Sequence, residues 1–528
     1  MEMNNINNIP VEKLQFANRS DYKHDSKFDT KPVSYFQGAF RRFCKNKGAV
    51  VGGIVVAILV LFAMIAPFFT AFQPAYYDPE YAHVTPKSKF FSNLGVDFWD
   101  GCKEKNANLV ALTKDIALAQ ETGREVIKDD YFVANADGTY SYRYDTYYGV
   151  GFGRYKVITK EEYLAIQEYQ NRTGRQVLYP TVKYADRPTQ EKNKYDANIY
   201  YVTEDPKAAT IRPKLNANGE VIPNYWQYKA EGKLSGLIAE YNSLRIEGED
   251  GFIGDDGERY LYAYGRKVDG GVEVRAEYYE YYIYQHTEVK KDGITEPLFI
   301  FGTTAVGKDI FACLAYGARF SFIFAIIVAV ANFTVGIIWG SISGYFGGRT
   351  DLFMERIVDV LGAIPTMIVI TLLKYHMGAS SQTLVLFISF FLTGWIGMAH
   401  LTRMQFYRFK NQEYVLAART LGARDRRIMF KHIFPNGLGT IVTSCALTIP
   451  SMIYSETSLS YLGIINLEAG NTTSVGTLIA AGQKSIMANA GFVAIFPCAF
   501  LCMLMLSFNL FGNGLRDAFN PSLRGSED

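Results

Sequence analysis

Long uncharged runs alternate with polar stretches along this chain. The first extends from Ala49 to Phe72, and others lie near 320–345, 352–375, 384–401, 438–461 and 492–511. A membrane helix needs roughly 20 mostly apolar residues, so the pattern predicts six spans. The first run is longer than the core of a secretory signal, about 7–15 residues, and predicts an uncleaved helix. Lys and Arg collect on one side of this pattern. Arg41, Arg42, Lys45 and Lys47 precede the first run, and Arg403, Arg408 and Lys410 follow the fourth. The loops assigned to the other side carry little beyond Lys374 and Lys484. Basic loops favour the cytoplasm. The expected order is a cytoplasmic tail over 1–48, a first span over 49–72 and a cytoplasmic tail over 513–528, with both ends inside.

Residues 73–300 break the pattern. They are polar, mixed in charge and hold most of the chain's 37 tyrosines. Turn signals recur at Ala136-Asp137-Gly138, Asn218-Gly219, Asp256-Gly257 and Asp269-Gly270-Gly271, between alternating runs. Tyr140, Tyr142 and Tyr144 alternate, as do Tyr278, Glu280, Tyr282 and Tyr284, and both runs predict strands. Thr159 with Glu162 predicts a capping box ahead of Tyr163, Ile166 and Tyr169. The block therefore reads as a folded α+β domain, placed outside the cell by the span order. Its tyrosines suit a binding face or half-buried strands. Residues 301–319 read as an amphipathic lead-in, and 320–512 as the helical core. The fold class is mainly α, a polytopic membrane protein with an inserted extracytoplasmic α+β domain between its first two helices.

The most informative segment is Glu413 to Asn436, charged and amphipathic between two apolar runs. It predicts a short helix through Leu421, a break at Gly422, a second basic helix, then Pro435. Ala417 and Ala418 let a partner approach closely. Gly422 permits a sharp turn. Arg419, Arg424, Arg426, Arg427 and Lys431 make the segment basic.

Two other patterns were weighed. Gly302-Thr-Thr-Ala-Val-Gly307-Lys308 fits a phosphate-binding loop through its lysine, after the strand-like Leu298–Phe301. Asp309 then replaces the hydroxyl residue that would hold Mg²⁺, so nucleotide binding is not expected. Glu249, Asp250, Asp255, Asp256 and Glu258 lack the spacing of a calcium loop. Six cysteines and six histidines show no metal-ligand spacing and no disulfide framework. With 528 residues and a net charge of +2, bulk composition points to no nucleic-acid partner.

The segment at 413–436 resembles the cytoplasmic coupling loop of ABC importer permeases. Ala417, Ala418, Gly422 and Pro435 stand at the family's positions, while Leu416 stands where its Glu is usual and Phe434 where Leu is usual. The resemblance spans about 45–97 and 301–525. It is similar to the second permease of oligopeptide, dipeptide and nickel importers. Gly302-Thr303, Gly307-Lys308-Asp309 and Tyr316-Gly317-Ala318-Arg319 carry it, then Ser343-Gly-Tyr-Phe-Gly-Gly348 with Asp351, and Asp359 with Pro365. His432-Ile-Phe-Pro-Asn436, Leu459-Ser-Tyr-Leu-Gly463 and Asn509–Asp517 with Asn520-Pro521 continue it. It implies a bacterial cell-membrane protein that hydrolyses no ATP and needs no cofactor or metal of its own. Its implied partners are a sister permease, two cytoplasmic ATPases, an extracytoplasmic solute-binding protein and a peptide solute. Glu413, Ala417, Ala418, Gly422, Arg426 and Pro435 would meet an ATPase within a coupling loop over 403–435. Asp359, Pro365, Pro450 and Glu456 are pore or gating candidates, the two prolines as kinks inside helices and Glu456 as a partner for a peptide N-terminus. A receptor whose outer domain senses a ligand is the alternative.

Overall fold

The computed structural model describes residues 35–94, 96–150, 154–179, 211–215, 221–229, 252–253, 259–261, 265–268, 271–378, 382–468 and 472–519. Among the described residues, five helical stretches are long and apolar enough to cross a membrane: Lys47–Phe68, Ile310–Phe346, Gln382–Phe409, Asp425–Tyr461 and Phe492–Phe519. A sixth crossing exists only if the bent pair Gly348–Gly362 and Thr366–Met377 counts as one span. Its halves meet at 68°. Pro365 sits at that break as the N-cap of the second half, not inside a helix as expected. A proline there lacks an N–H that the first turn would leave unpaired anyway.

The second span starts earlier than its apolar run. Asp309 caps a helix that continues unbroken from Ile310 to Phe346, so most of the expected lead-in is span. Its Gly336, Gly340 and Gly344 lie one turn apart and face Met398, Ala399 and Phe406, where any Cβ would collide. Small residues at this spacing let two membrane helices pack backbone to backbone. The first and last spans pack antiparallel in the same way. A Cβ on Gly52 would lie 2.8 Å from Leu510 Cβ, and Phe62 and Phe500 pair at 6.1 Å. The largest buried apolar cluster joins these spans through Leu59, Ala63, Phe322, Ile453, Leu504 and Phe508.

The polar block holds three antiparallel sheets. One has Tyr140–Asp145 between Cys102–Ala107 and Ile127–Ala134. Its turn at Ala136-Asp137-Gly138 is the predicted hairpin, with Gly138 at φ +80°. The second pairs Gly271–Ala276 with Gly265–Val268, Arg154–Ile158 and Leu178–Tyr179. The third holds Ile211–Leu215, Val221–Lys229, Arg259–Leu261 and Phe252–Ile253. The Asn218-Gly219 and Asp256-Gly257 turns, Asp269-Gly270, and all five residues of the acidic cluster lie outside the described residues.

Thr159 caps helix Lys160–Thr173 by accepting from Glu162 N at 3.1 Å, and Tyr163, Ile166 and Tyr169 are buried beneath it. The Glu162 carboxylate does not close the box. It accepts instead from Tyr281 Oη at 2.7 Å and Gln285 Nε2 at 2.8 Å. Tyr278–Tyr284 is a helix, not the expected strand. Residues 280–284 are all buried, so its alternation reports burial on every side rather than a sheet face. Leu298–Phe301 is not a strand either.

The two ends of the block are laced together. Lys87 N donates to Phe299 O, Thr303 N to Val84 O, His83 N to Thr304 O and Asp78 N to Gly307 O, at 3.0–3.2 Å. Tyr81, Val84, Tyr147, Tyr282 and Phe299 form a buried cluster over this joint. The phosphate-loop look-alike is one side of that lacing. A Cβ on Gly307 would collide with the Asp78 carbonyl, and one on Gly302 with the Val84 carbonyl.

Candidate functional site

The segment at 413–436 forms a two-legged elbow. Glu413–Thr420 is the first leg. It ends at Gly422, φ +78°, where Gly422 N donates to Arg419 O and Ala423 N to Ala418 O. These bonds satisfy the last carbonyls of the leg, and the positive φ suits glycine. The second leg begins at Asp425 and passes through a π-helical turn, Ile428–Ile433, into helix Phe434–Tyr461. Pro435 sits in the first turn of that helix.

The inner face of the elbow is anchored. Val415, Ile428, Met429 and Ile433 are buried against Tyr345 of the second span and Phe406 of the fourth. Tyr345 Oη donates to Asp425 Oδ1 at 2.5 Å, and the Arg419 guanidinium lies 5.9 Å from the Tyr345 ring. The outer face is open. Glu413, Ala417, Arg424, Arg426 and Lys431 are exposed, as are Tyr414, Leu416 and Leu421. Leu421, at the tip, is 87% exposed. No atom lies within 4 Å of where a Gly422 Cβ would stand. An apolar tip ringed by arginines, fixed from behind, is suited to dock a protein surface.

A second cluster braces the helices that carry the elbow. Arg403 binds Asp351 through two bonds of 2.6 Å, Tyr407 Oη donates to Asp351 Oδ2 at 2.5 Å, and Ser343 Oγ donates to Asp351 Oδ1. Glu355 adds a contact to Arg403 at 3.4 Å. Gly347 and Gly348, at φ +65° and +55°, turn the chain sharply enough to bring Asp351 back to Ser343. Bidentate arginine–carboxylate pairs fix orientation as well as distance. Asp351 was visible in the sequence only as part of a motif. Arg403 was read as topology. Their pairing joins three helices and was missed.

The pore candidates fare differently. Asp359 is exposed and pairs with Arg356 on its own helix at 3.2 Å. Pro450 lies inside its helix as expected, and Pro497, not anticipated, lies inside the last. Glu456 is fully buried. Its carboxylate accepts from Ser321 Oγ at 2.7 Å, which ties the fifth span to the second, and from Ser460 Oγ of its own helix at 3.1 Å. An apolar groove of about 590 Å³ opens instead between the second span and helix Gln382–Gly394, lined by Phe320, Ile323, Ile327, Leu384 and Phe387, with Arg319 its one charge.

Residues 336–525 match the family described as binding-protein-dependent transport system inner membrane component. Residues 34–86 match the N-terminal TM domain of oligopeptide transport permease C. The chain is 43% identical over 224 residues to the oligopeptide transport system permease protein OppC of Bacillus subtilis, covering 42% of this chain and 72% of that one. The dipeptide transport system permease protein DppC of the same organism is 39% identical over 224 residues, covering 42% and 69%. OppC of Escherichia coli is 35% identical over 224 residues, covering 42% and 72%. A chain of the inward-facing MetNI methionine ABC transporter aligns at TM-score 0.30 with 15% identity over 39% of this chain and 96% of that one, too distant to argue from. These matches leave residues 87–335 outside both family descriptions. With the elbow and its brace inside the longer matched region, and more than two thirds of its relatives covered, this chain belongs to the OppC-like permease subunits of ABC transporters, a family whose members are non-catalytic.

Proposed function

We propose that this permease imports oligopeptides and that the elbow at 413–435 is where a cytoplasmic ATPase drives it. The carrying observation is the two-sidedness of the elbow: an exposed tip at Leu421 and Gly422, and a buried inner face on Tyr345 and Phe406. A push on such a lever moves the second and fourth spans with it, because close-packed interiors transmit displacement rather than absorb it. Glu413, Ala417, Ala418, Gly422 and Arg426 form the contact, and Pro435 fixes the exit into the fifth span. The break at Pro365 and the kink at Pro450 are where the helices flex between access states. Peptide as solute rests on the relatives' names alone. Purification of the chain from its own membranes tests the assembly. A sister permease and two ATPases should come with it; isolation as a stable lone chain would refute the reading.

The orientation follows from Lys and Arg. We place both termini and the elbow inside, the bent pair as one span, and residues 73–300 outside. Single cysteines supply the test, in a chain lacking its native six. Tyr131→Cys should react with an impermeant maleimide in intact cells, and Arg424→Cys should not. The reverse pattern overturns the topology.

The block is proposed to dock the solute-binding protein or hold it near the pore mouth. Its position supports this, since its laced ends stand directly on the first and second spans. Its tyrosines support it less. Tyr81, Tyr142, Tyr147, Tyr163, Tyr281 and Tyr282 are buried and serve the core.

A further inference from the structure

Residues 88–99 leave the laced joint as a short loop, with a helix at Lys89–Asn93 and a 3-10 turn at Asp97–Trp99. This loop is unusually rich in uncovered apolar side chains. Phe90 is 69% exposed, Leu94 65%, Phe98 43% and Val96 37%. Its polar residues Ser92, Asn93 and Asp97 are exposed between them. Trp99 holds the loop in place. Its indole Nε1 donates to Ile300 O at 2.8 Å, and its ring packs on Phe91 and on Phe496 of the last span. Phe98 touches Phe496 as well, at 5.9 Å between ring centroids.

Phe496 sets the depth of this loop. In the antiparallel packing of the first and last spans, Gly52 meets Leu510 and Phe62 meets Phe500. Four residues beyond Phe500, about 6 Å along the axis, Phe496 lies level with Ala66. That is where the first span gives way to the 3-10 turn Ala66–Phe68. The exposed residues of the first span form one apolar stripe, Val51, Ile54, Ile58, Leu61 and Ile65, at helical spacing along its length. Phe68 and Phe69, 73% and 80% exposed, cap that stripe, and the Arg319 guanidinium sits 5.1 Å from the Phe68 ring. The uncovered loop is therefore level with the end of this exposed apolar stripe.

We propose that residues 89–99 rest in the bilayer interface on the block's side and anchor the block to the membrane beside the last span. Lipid is the occupant because the patch lies at the depth where the first span's apolar stripe ends, beside the exposed Ile495 of the last span. Aromatic side chains interleaved with polar ones are the chemistry of that interface. The ring of contacts to Phe496 then fixes how low the whole block rides over the spans.

Nitroxide collision measurements test this on the assembled transporter in phosphatidylcholine bilayers. Phe90→Cys and Leu94→Cys are labelled singly in a chain lacking its native cysteines. Ile58→Cys serves as the lipid reference and Tyr131→Cys as the aqueous one. Labels at 90 and 94 should collide with oxygen several-fold more than with a water-soluble nickel chelate, with ratios between the two references. Nickel accessibility equal to that at 131 would overturn the proposal. So would low collision with both reagents, which would mean that a protein partner covers the loop.

Discussion

Asp351 is the residue on which the elbow end of the core turns. One carboxylate, nearly buried, accepts from Arg403, Tyr407 and Ser343 and so ties the second span to the helix after it and to the fourth span. The Arg403 side chain is about a quarter exposed, so water does not replace what is lost if its partner is removed. Asp351→Ala leaves the guanidinium with the longer contact to Glu355 and the face of the Tyr407 ring. Hydrogen bonds to charged groups contribute about 1.5–3 kcal/mol each net, so a loss on the order of 3 kcal/mol is expected. The midpoint of thermal unfolding in detergent should fall by several degrees. An unchanged midpoint would show that the cluster does not hold the core. Glu456 is a contrasting case. Its buried carboxylate accepts from Ser460, one turn along its own helix, and from Ser321 on the second span, and only the second partner is invisible in the sequence, because it lies 135 residues away.

At the level of elements, legibility followed how directly burial is written in the sequence. Spans were readable because lipid and core both demand apolar side chains, whichever side a residue faces. The elbow was readable because Gly422 needs a positive φ and its neighbours alternate buried apolar and exposed basic positions. The start of the second span was misread. Asp309 is a helix cap and marked it, but Lys308 and Arg319 made the stretch look interfacial. The bend in the third run showed in the sequence only as Pro365, which fixes where a helix breaks and not by how much. Tyr278–Tyr284 failed for a different reason. Tyrosine favours strands through packing against neighbours, and in this helix those neighbours come from every side. Tyr278 bonds Asp78, Tyr281 bonds Glu162, and the Tyr282 ring lies edge-on to Tyr81. Such long-range partners are invisible to periodicity.

On the scale of the whole molecule, a helical membrane core carries a folded block inserted between its first two long helices. The lacing of residues 78–87 to 299–307 brings the block's two ends together. Removing about Gly101–Glu296 and rejoining the chain should therefore leave the spans folded and paired with the sister permease. A tethered docking domain acts by raising effective concentration. Uptake by the shortened chain should fall most when the solute-binding protein is scarce and recover when it is abundant. Equal loss at every level would assign the block to gating or support; no loss would make it dispensable for transport.

The central claim is that the elbow transmits ATPase closure to the spans, and Gly422→Asp tests it most directly. The new side chain meets nothing in this chain, so insertion and pairing with the sister permease should be normal. It adds a charge where the partner packs, in a left-handed conformation that Asn tolerates better than most residues. Gly422→Asn, uncharged, is the matched control. ATP-driven peptide uptake and co-purification of the ATPases should both be lost with Asp at this position and largely kept with Asn. Normal uptake with retained ATPases in the Asp variant, at normal expression, would contradict the account.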